Sequence, residues 1–275
     1  MQEVTLSLPS ITLSGLQSGD KPKILCLHGW LDNAASFQAL MQAMPDTPML
    51  AVDWPGHGKS QWRSGPYHFV DWVEDVYQII DQHFDEPVTV IGHSMGGMVA
   101  SAFCAAFGEK VRQLILIESA GVLSMEESQA KVQLRKGILS RQKTIREEPV
   151  ITPEQAITAR EAVSDFSRDL LTPIVMRNLE PFESGMRWRT DRRLRYVSPW
   201  RFSHTQAREL LKDIEMPTCV IQGEKGYEMV EQGLQHFGDC YRQLTHYKVP
   251  GGHHPHIESA FECAQILSQY LEKQK

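Results

Sequence analysis

Val88-Thr89-Val90-Ile91-Gly92-His93-Ser94-Met95-Gly96-Gly97 decides the reading of this 275-residue chain. Residues 88–91 form a short continuous apolar run, which suits a strand buried on both faces. Residues 95–107 are mostly small and apolar, as a helix packed on such a strand would be. Ser94 stands between them in the pattern Gly-x-Ser-x-Gly. A serine at a tight strand-to-helix turn is held proud of the chain on a strained backbone. The flanking positions need glycine because neighbouring backbone passes too close for a Cβ. The N-terminus of the following helix then points at the serine, where negative charge would develop. Ser94 is therefore the candidate nucleophile.

The same strand pattern recurs on either side. Residues 24–27 run into His28-Gly29, 49–52 into Asp53, 114–117 into Glu118, 218–221 into Gln222-Gly223, and 246–249 into Pro250-Gly251. Residues 69–84 and 258–271 carry apolar positions at helical spacing. Alternating strand and helix predicts an α/β fold with a mostly parallel central sheet and helices on both faces. Residues 3–17 alternate around Pro9-Ser10 and read as a strand pair ahead of it. One stretch breaks the rhythm: between 123 and 211 no buried-strand pattern occurs. Polar helices are expected at 126–140, at 153–165 behind Thr152, and at 170–178, followed by irregular, arginine-rich chain at 187–201. The predicted organisation is a core of residues 1–122 and 205–275 with a helical cap inserted at 123–204, over the strand ends.

Serine is a poor nucleophile until a base takes its proton. Pro250-Gly251-Gly252-His253-His254-Pro255-His256 follows the last strand and opens the last helix, a loop at a strand's C-terminal end, where such folds place function. His253 is the chosen base because it directly follows the glycines. His256 falls on the first helical turn and reads as structural, and His254 is intermediate. A metal held by the three histidines would need convergent geometry, which adjacent residues supply poorly, and no carboxylate-rich partner motif stands out. The oxyanion formed on attack needs backbone donors. Met95 N–H, directly after the serine, and Trp30 N–H, in the loop after the first core strand, are the candidates.

Taken together, His28-Gly29-Trp30, Asp53-Trp54-Pro55-Gly56-His57-Gly58-Lys59-Ser60, the Ser94 turn, and Gly252-His253-His254-Pro255-His256-Ile257-Glu258 resemble the ordered signature of the α/β-hydrolase superfamily. The end of the insertion, from Trp188-Arg189-Thr190-Asp191 to Ser198-Pro199-Trp200-Arg201, further resembles the serine hydrolase-like family. The resemblance implies an α/β-hydrolase fold and a serine hydrolase acting on an ester, thioester, lactone or amide of a small molecule, with no metal or organic cofactor. It implies a structural role for the loop carrying Asp53 and His57. It also exposes a departure: the usual acid is an aspartate three residues after the glycine that ends the 218–221 strand, and here that position is Gly226. Glu118, at the end of the preceding core strand, is the preferred substitute and keeps the order serine, acid, histidine; Glu224 and Glu228 are the alternatives. The competing expectation is a weak or inactive protein that kept the fold as a small-molecule receptor.

The bulk properties agree with an ordinary globular chain. A formal charge of −6 offers no basic footprint for nucleic acid. No apolar run has the length of a membrane span, and the N-terminus lacks the pattern of a signal peptide, so a cytoplasmic protein is expected. Five cysteines, at 26, 104, 219, 240 and 263, show no metal-ligand spacing and read as buried small hydrophobes. The arginines at 187, 189, 192, 193, 195 and 201 have two readings: recognition of an anionic substrate, or ion pairing between cap and core, which is favoured. Oligomeric state is not legible.

Overall fold

The apolar runs become strands of one eight-stranded sheet in the computed structural model, which describes residues 1–143, 149–164 and 166–273. Its strands are β1 (Gln2–Ser7), β2 (Thr12–Ser18), β3 (Ile24–Leu27), β4 (Met49–Val52), β5 (Val88–His93), β6 (Val111–Ile117), β11 (Thr218–Gly223) and β12 (Leu244–Val249). They lie in the order β1-β2-β4-β3-β5-β6-β11-β12. β1 and β2 pair antiparallel, β2 joins β4 antiparallel, and every pairing from β4 to β12 is parallel.

The continuous apolar runs follow from burial on both faces. Along β3, Leu25 and Leu27 face one core layer and Ile24 and Cys26 the other; along β6, Leu114 and Leu116 oppose Ile115 and Ile117. Successive side chains of a strand point to opposite faces, so both sets must be apolar. The first layer packs against α2 (Phe69–His83) and α3 (Met95–Ala106), through Val76, Ile79 and Phe103. The second packs against α1 (Gln38–Ala43) and α10 (Ala260–Lys273), through Leu40 and Leu267. The short α9 (Pro255–Glu258) precedes α10, so the helix expected at 258–271 is broken at Ser259. All five cysteines are buried. Among the described residues no helix is long and apolar enough to cross a membrane.

The excursion leaves the sheet after β6 and returns before β11. The two-residue strands β7 (Ser124–Met125) and β10 (Phe202–Ser203) pair in parallel where it departs and returns. Between them lie α4 (Ala130–Arg141), α5 (Pro153–Glu161) and α6 (Arg168–Arg177). A Thr152 capping box and Pro153 in the first turn start α5; the last position of the helix expected there, Asp165, lies outside the described residues. Between α6 and the stretch expected to be irregular lies an antiparallel hairpin, β8 (Leu179–Phe182) with β9 (Gly185–Trp188), which overlaps that stretch only at Arg187 and Trp188. After β10 the chain continues through α7 (His204–Leu211), and α8 (Glu228–Phe237) connects β11 to β12.

One buried ion pair ties the excursion to the sheet. Asp53, at the end of β4, is fully buried; its carboxylate accepts the N–H groups of Ala34 and Lys59 and takes Arg177 Nε of α6 at 2.9 and 3.0 Å. Removing one partner of such a pair leaves an uncompensated charge. Arg177→Met should therefore cost roughly 3–5 kcal/mol, read as a lower denaturant midpoint. The double variant Asp53→Asn/Arg177→Met removes the unpaired charge but sets the Asn NH₂ against the Ala34 or Lys59 N–H, so it should recover only part of that loss.

Candidate functional site

The turn after β5 carries Ser94 at φ 50° and ψ −117°, in the left-handed half of backbone space where side chains are strained. The strain is sustained because the turn cannot open. A Cβ on Gly96 would lie 2.1 Å from the carbonyl oxygen of Leu27, and one on Gly92 would lie 2.5 Å from Gly97 Cα. The Ser94 N–H is also held by Ile117 O at 2.9 Å.

β6 and β12 bring the other two residues to this point. His253 Nε2 lies 3.0 Å from Ser94 Oγ, and His253 Nδ1 lies 3.2 Å from Glu118 Oε2. The carboxylate can only accept, so Nδ1 carries a proton toward Glu118 and Nε2 presents its lone pair to the serine hydroxyl. Glu118 is fully buried and accepts two more hydrogen bonds, from Gly223 N–H at 2.7 Å and Tyr227 N–H at 3.1 Å. The missing aspartate has a spatial counterpart: a Cβ on Gly226 would lie 2.2–2.5 Å from the three carboxylate atoms of Glu118. The glutamate from β6 thus fills the space that a side chain at 226 would occupy. Glu224 and Glu228 are both exposed. The Tyr227 ring stacks on His253 with centroids 4.1 Å apart, a contact that sequence reasoning missed.

The loop after β3 lies against the serine. A Cβ on Gly29 would come within 3.3 Å of Ser94 Cβ and 2.8 Å of His93 Nδ1. Trp30, beside it, is half exposed, and its indole N–H donates to Leu194 O of the excursion at 3.2 Å. Met95 opens α3, so its N–H has no acceptor in a preceding helical turn. Two histidines brace this loop. Leu31 N–H donates to His57 Nε2 at 3.2 Å, and Trp54 N–H donates to His28 Nε2 at 3.0 Å. Both accepting nitrogens are bare, so each ring is neutral with its proton on Nδ1, donated to Pro55 O and Gly29 O.

Burial holds four rings neutral. It lowers His28 to about 4, His57 to about 3 and His256 to about 3, and it puts His93 well below its ordinary value. The unfolded chain binds these protons near pH 6.5, so below that pH the unfolded state holds more protons than the fold. The stability these rings contribute is complete above pH 6.5 and is lost as pH falls toward 3. Each ring can contribute up to about 1.4 kcal/mol per pH unit in that window. A thermal melt should show Tm falling steeply below pH 6, and His256→Phe should flatten the fall.

The two other histidines of the base loop point away from Ser94. His256 packs in the core against Phe37, at 5.1 Å between ring centroids, and His254 Nε2 meets Asp32 Oδ2 at 3.2 Å. Asp32 is a second residue the sequence did not reveal. It is buried, holds Arg160 of α5 at 2.7 Å, and has its carboxyl kept well below the usual range despite burial, by His254, Arg160 and His93.

Among the described residues, at least three of the six clustered arginines pair with acids. Arg187 and Arg189 both pair with Glu180 inside the excursion. Arg193 pairs with Asp191 and donates to the Arg63, Ser64 and Gly65 carbonyls of the core. Arg160, Arg192 and Arg195, with Leu31, Ile174 and Trp188, help line a cavity of about 240 Å³ between the excursion and the Trp30 loop.

The profile of the alpha/beta hydrolase fold family matches residues 22–260, and the chain belongs to that family. It is 28% identical over 269 residues to a protein of Danio rerio named serine hydrolase-like protein, spanning 91% of this chain and 82% of the relative. The crystal structure of a hypothetical protein from Pseudomonas aeruginosa PAO1 superimposes with a TM-score of 0.87 at 29% identity, covering 99% of this chain and 100% of that one. A thioesterase domain from the curacin biosynthetic pathway has the same fold, with a TM-score of 0.84 at 24% identity, covering 98% and 99%. Family and relatives together support a hydrolase.

Proposed function

We propose that the chain is a serine hydrolase that cleaves a carboxylic ester or related acyl bond of a small molecule through an acyl-enzyme on Ser94. The observation that carries this reading is the unbroken line of hydrogen bonds from Ser94 Oγ through His253 to Glu118. In this reading His253 Nε2 takes the hydroxyl proton as Oγ attacks the carbonyl carbon. The N–H groups of Trp30 and Met95 receive the oxyanion. The tetrahedral intermediate collapses, the leaving group departs with the proton from His253, and the acyl group stays on Ser94. Water, deprotonated by the same nitrogen, then frees the acid. Glu118 holds the tautomer and stabilises the imidazolium. In this reading the excursion is the cap that shapes the substrate pocket.

The test is intact-mass analysis after treatment with a fluorophosphonate, which labels activated serines whatever the natural substrate. One adduct on the wild type, absent from Ser94→Ala, is the expected result. No adduct on folded wild type would overturn the hydrolase reading and leave a receptor with the hydrolase fold.

A further inference from the structure

Three donor groups that the hydrolytic reading leaves unused meet behind the base loop. One ligand atom from each of Asp32, His93 and His254 lies within 4.8 Å of the other two. Asp32 divides its carboxylate between them and the cap: Oδ1 takes Arg160 at 2.7 Å, while Oδ2 faces His254 Nε2 at 3.2 Å and His93 Nδ1 at 3.8 Å.

The protonation of His93 is fixed by its surroundings. Its Nε2 meets the carbonyl oxygen of His253 at 2.8 Å, an atom that only accepts, so the ring proton sits on Nε2. Nδ1 is then a bare lone pair on a ring 1% exposed, and among the described residues it has no hydrogen-bond partner. A lone pair and a carboxylate oxygen thus face each other in the interior with no proton of His93 between them. A cation placed there would turn this opposition into two bonds.

We propose that Asp32 Oδ2, His93 Nδ1 and His254 Nε2 form a binding site for a zinc-type divalent ion, and that filling it inhibits turnover. Two imidazoles and one carboxylate are a ligand set of that class and leave a fourth position open. His93 already has the supporting arrangement of a metal-bound histidine, its other N–H donated to a carbonyl. Donor atoms around a tetrahedral ion stand roughly 3.3 Å apart, from bond lengths of 2.0–2.2 Å. The Asp32–His254 distance meets this as it stands. The remaining contraction, up to about 1.5 Å on that estimate, falls mainly to the partly exposed His254 ring. Binding moves the His254 proton off Nε2 and draws on both neighbours of the base: the residue after His253 and the ring that holds its carbonyl. That displacement is the route to inhibition.

The experiment uses the whole chain, stripped with chelator, and titrates it with Co²⁺ and then Zn²⁺. Expected are a visible d–d band saturating at one ion per chain, its displacement by Zn²⁺, and loss of esterase activity over the same Zn²⁺ range. Asp32→Asn and His254→Gln should each weaken binding at least about tenfold. Ser94→Ala should bind as the wild type does, which keeps this outcome separate from that of the hydrolase reading. His236→Gln, which breaks the surface stack of His204 on His236, should also leave binding unchanged. Absence of the band on folded wild type, undiminished affinity in both Asp32→Asn and His254→Gln, or its loss in His236→Gln would each overturn the site. If Asp32→Asn fails to fold, the wild-type spectrum and His254→Gln still decide.

Discussion

Glu118→Gln should lower kcat for an activated ester by about 10⁴-fold while KM changes little. The amide matches the carboxylate in size, so the fold has no reason to collapse. What changes is the pattern of donors and acceptors. Glu118 now accepts from three sides: Gly223 N–H, Tyr227 N–H and His253 Nδ1. A glutamine must turn its NH₂ toward one of them. At the Oε1 position it would meet Gly223 N–H, donor against donor at 2.7 Å; at the Oε2 position it meets Tyr227 N–H at 3.1 Å together with His253 Nδ1, the one partner that can switch to accepting, so the NH₂ takes the Oε2 position. Nδ1 must then accept, the ring proton moves to Nε2, and the lone pair that would take the Ser94 proton is gone. The measurement is kcat and KM for the variant, with a thermal melt to establish folding. A rate within tenfold of wild type would make Glu118 a structural acid and return attention to Glu224 and Glu228.

How far the sequence carried this site depends on the kind of residue. Ser94 was legible because the role proposed for it dictates a local pattern: the turn that exposes it cannot form unless Gly92 and Gly96 lack side chains. His253 was legible because the C-terminal ends of parallel strands are where these sheets expose side chains, and the end of β12 carries histidines. Glu118 followed from the same argument at the end of β6, once Gly226 had removed the usual position. The space its carboxylate shares with a side chain at 226 joins residues more than a hundred positions apart and leaves no local trace. Asp32 and Tyr227 were missed for that reason. Asp32 gains meaning only when Arg160 and His254 arrive from two other elements, and Tyr227 only when β12 sets His253 against its ring. The β8–β9 hairpin was missed because it is short and only half buried, so it lacks the continuous apolar run that marked the core strands.

Gly226→Asp should abolish detectable turnover by itself, whereas Glu118→Gly/Gly226→Asp should restore at least about 100-fold of it. The expected loss is of the size that follows when a triad loses its acid, about 10⁴-fold. In the single variant the new Cβ would fall 2.2 Å from Glu118 Oε1. Two carboxylates would then compete for one buried space with two backbone donors, and one must be expelled or protonated. Stability should fall as well, because overpacking and charge repulsion act together. In the double variant the first cause is removed. Glu118 sits at φ 50°, a conformation that glycine adopts without strain, while Gly226 has no positive φ to resist a side chain. An aspartate carboxylate oxygen lies roughly 2.4 Å from its own Cβ, by bond lengths, and Glu118 Oε2 lies 2.5 Å from where that Cβ would be. The introduced carboxylate can therefore fall almost where the old one stood, with Gly223 N–H still there to hold it and His253 Nδ1 within reach. Comparing kcat for the wild type, Glu118→Gly, Gly226→Asp and the double variant closes a cycle in which each single change is severe and the pair is mild. A double variant no better than the worse single one would show that the acid must be delivered by the backbone of β6, and that reach to His253 is not enough.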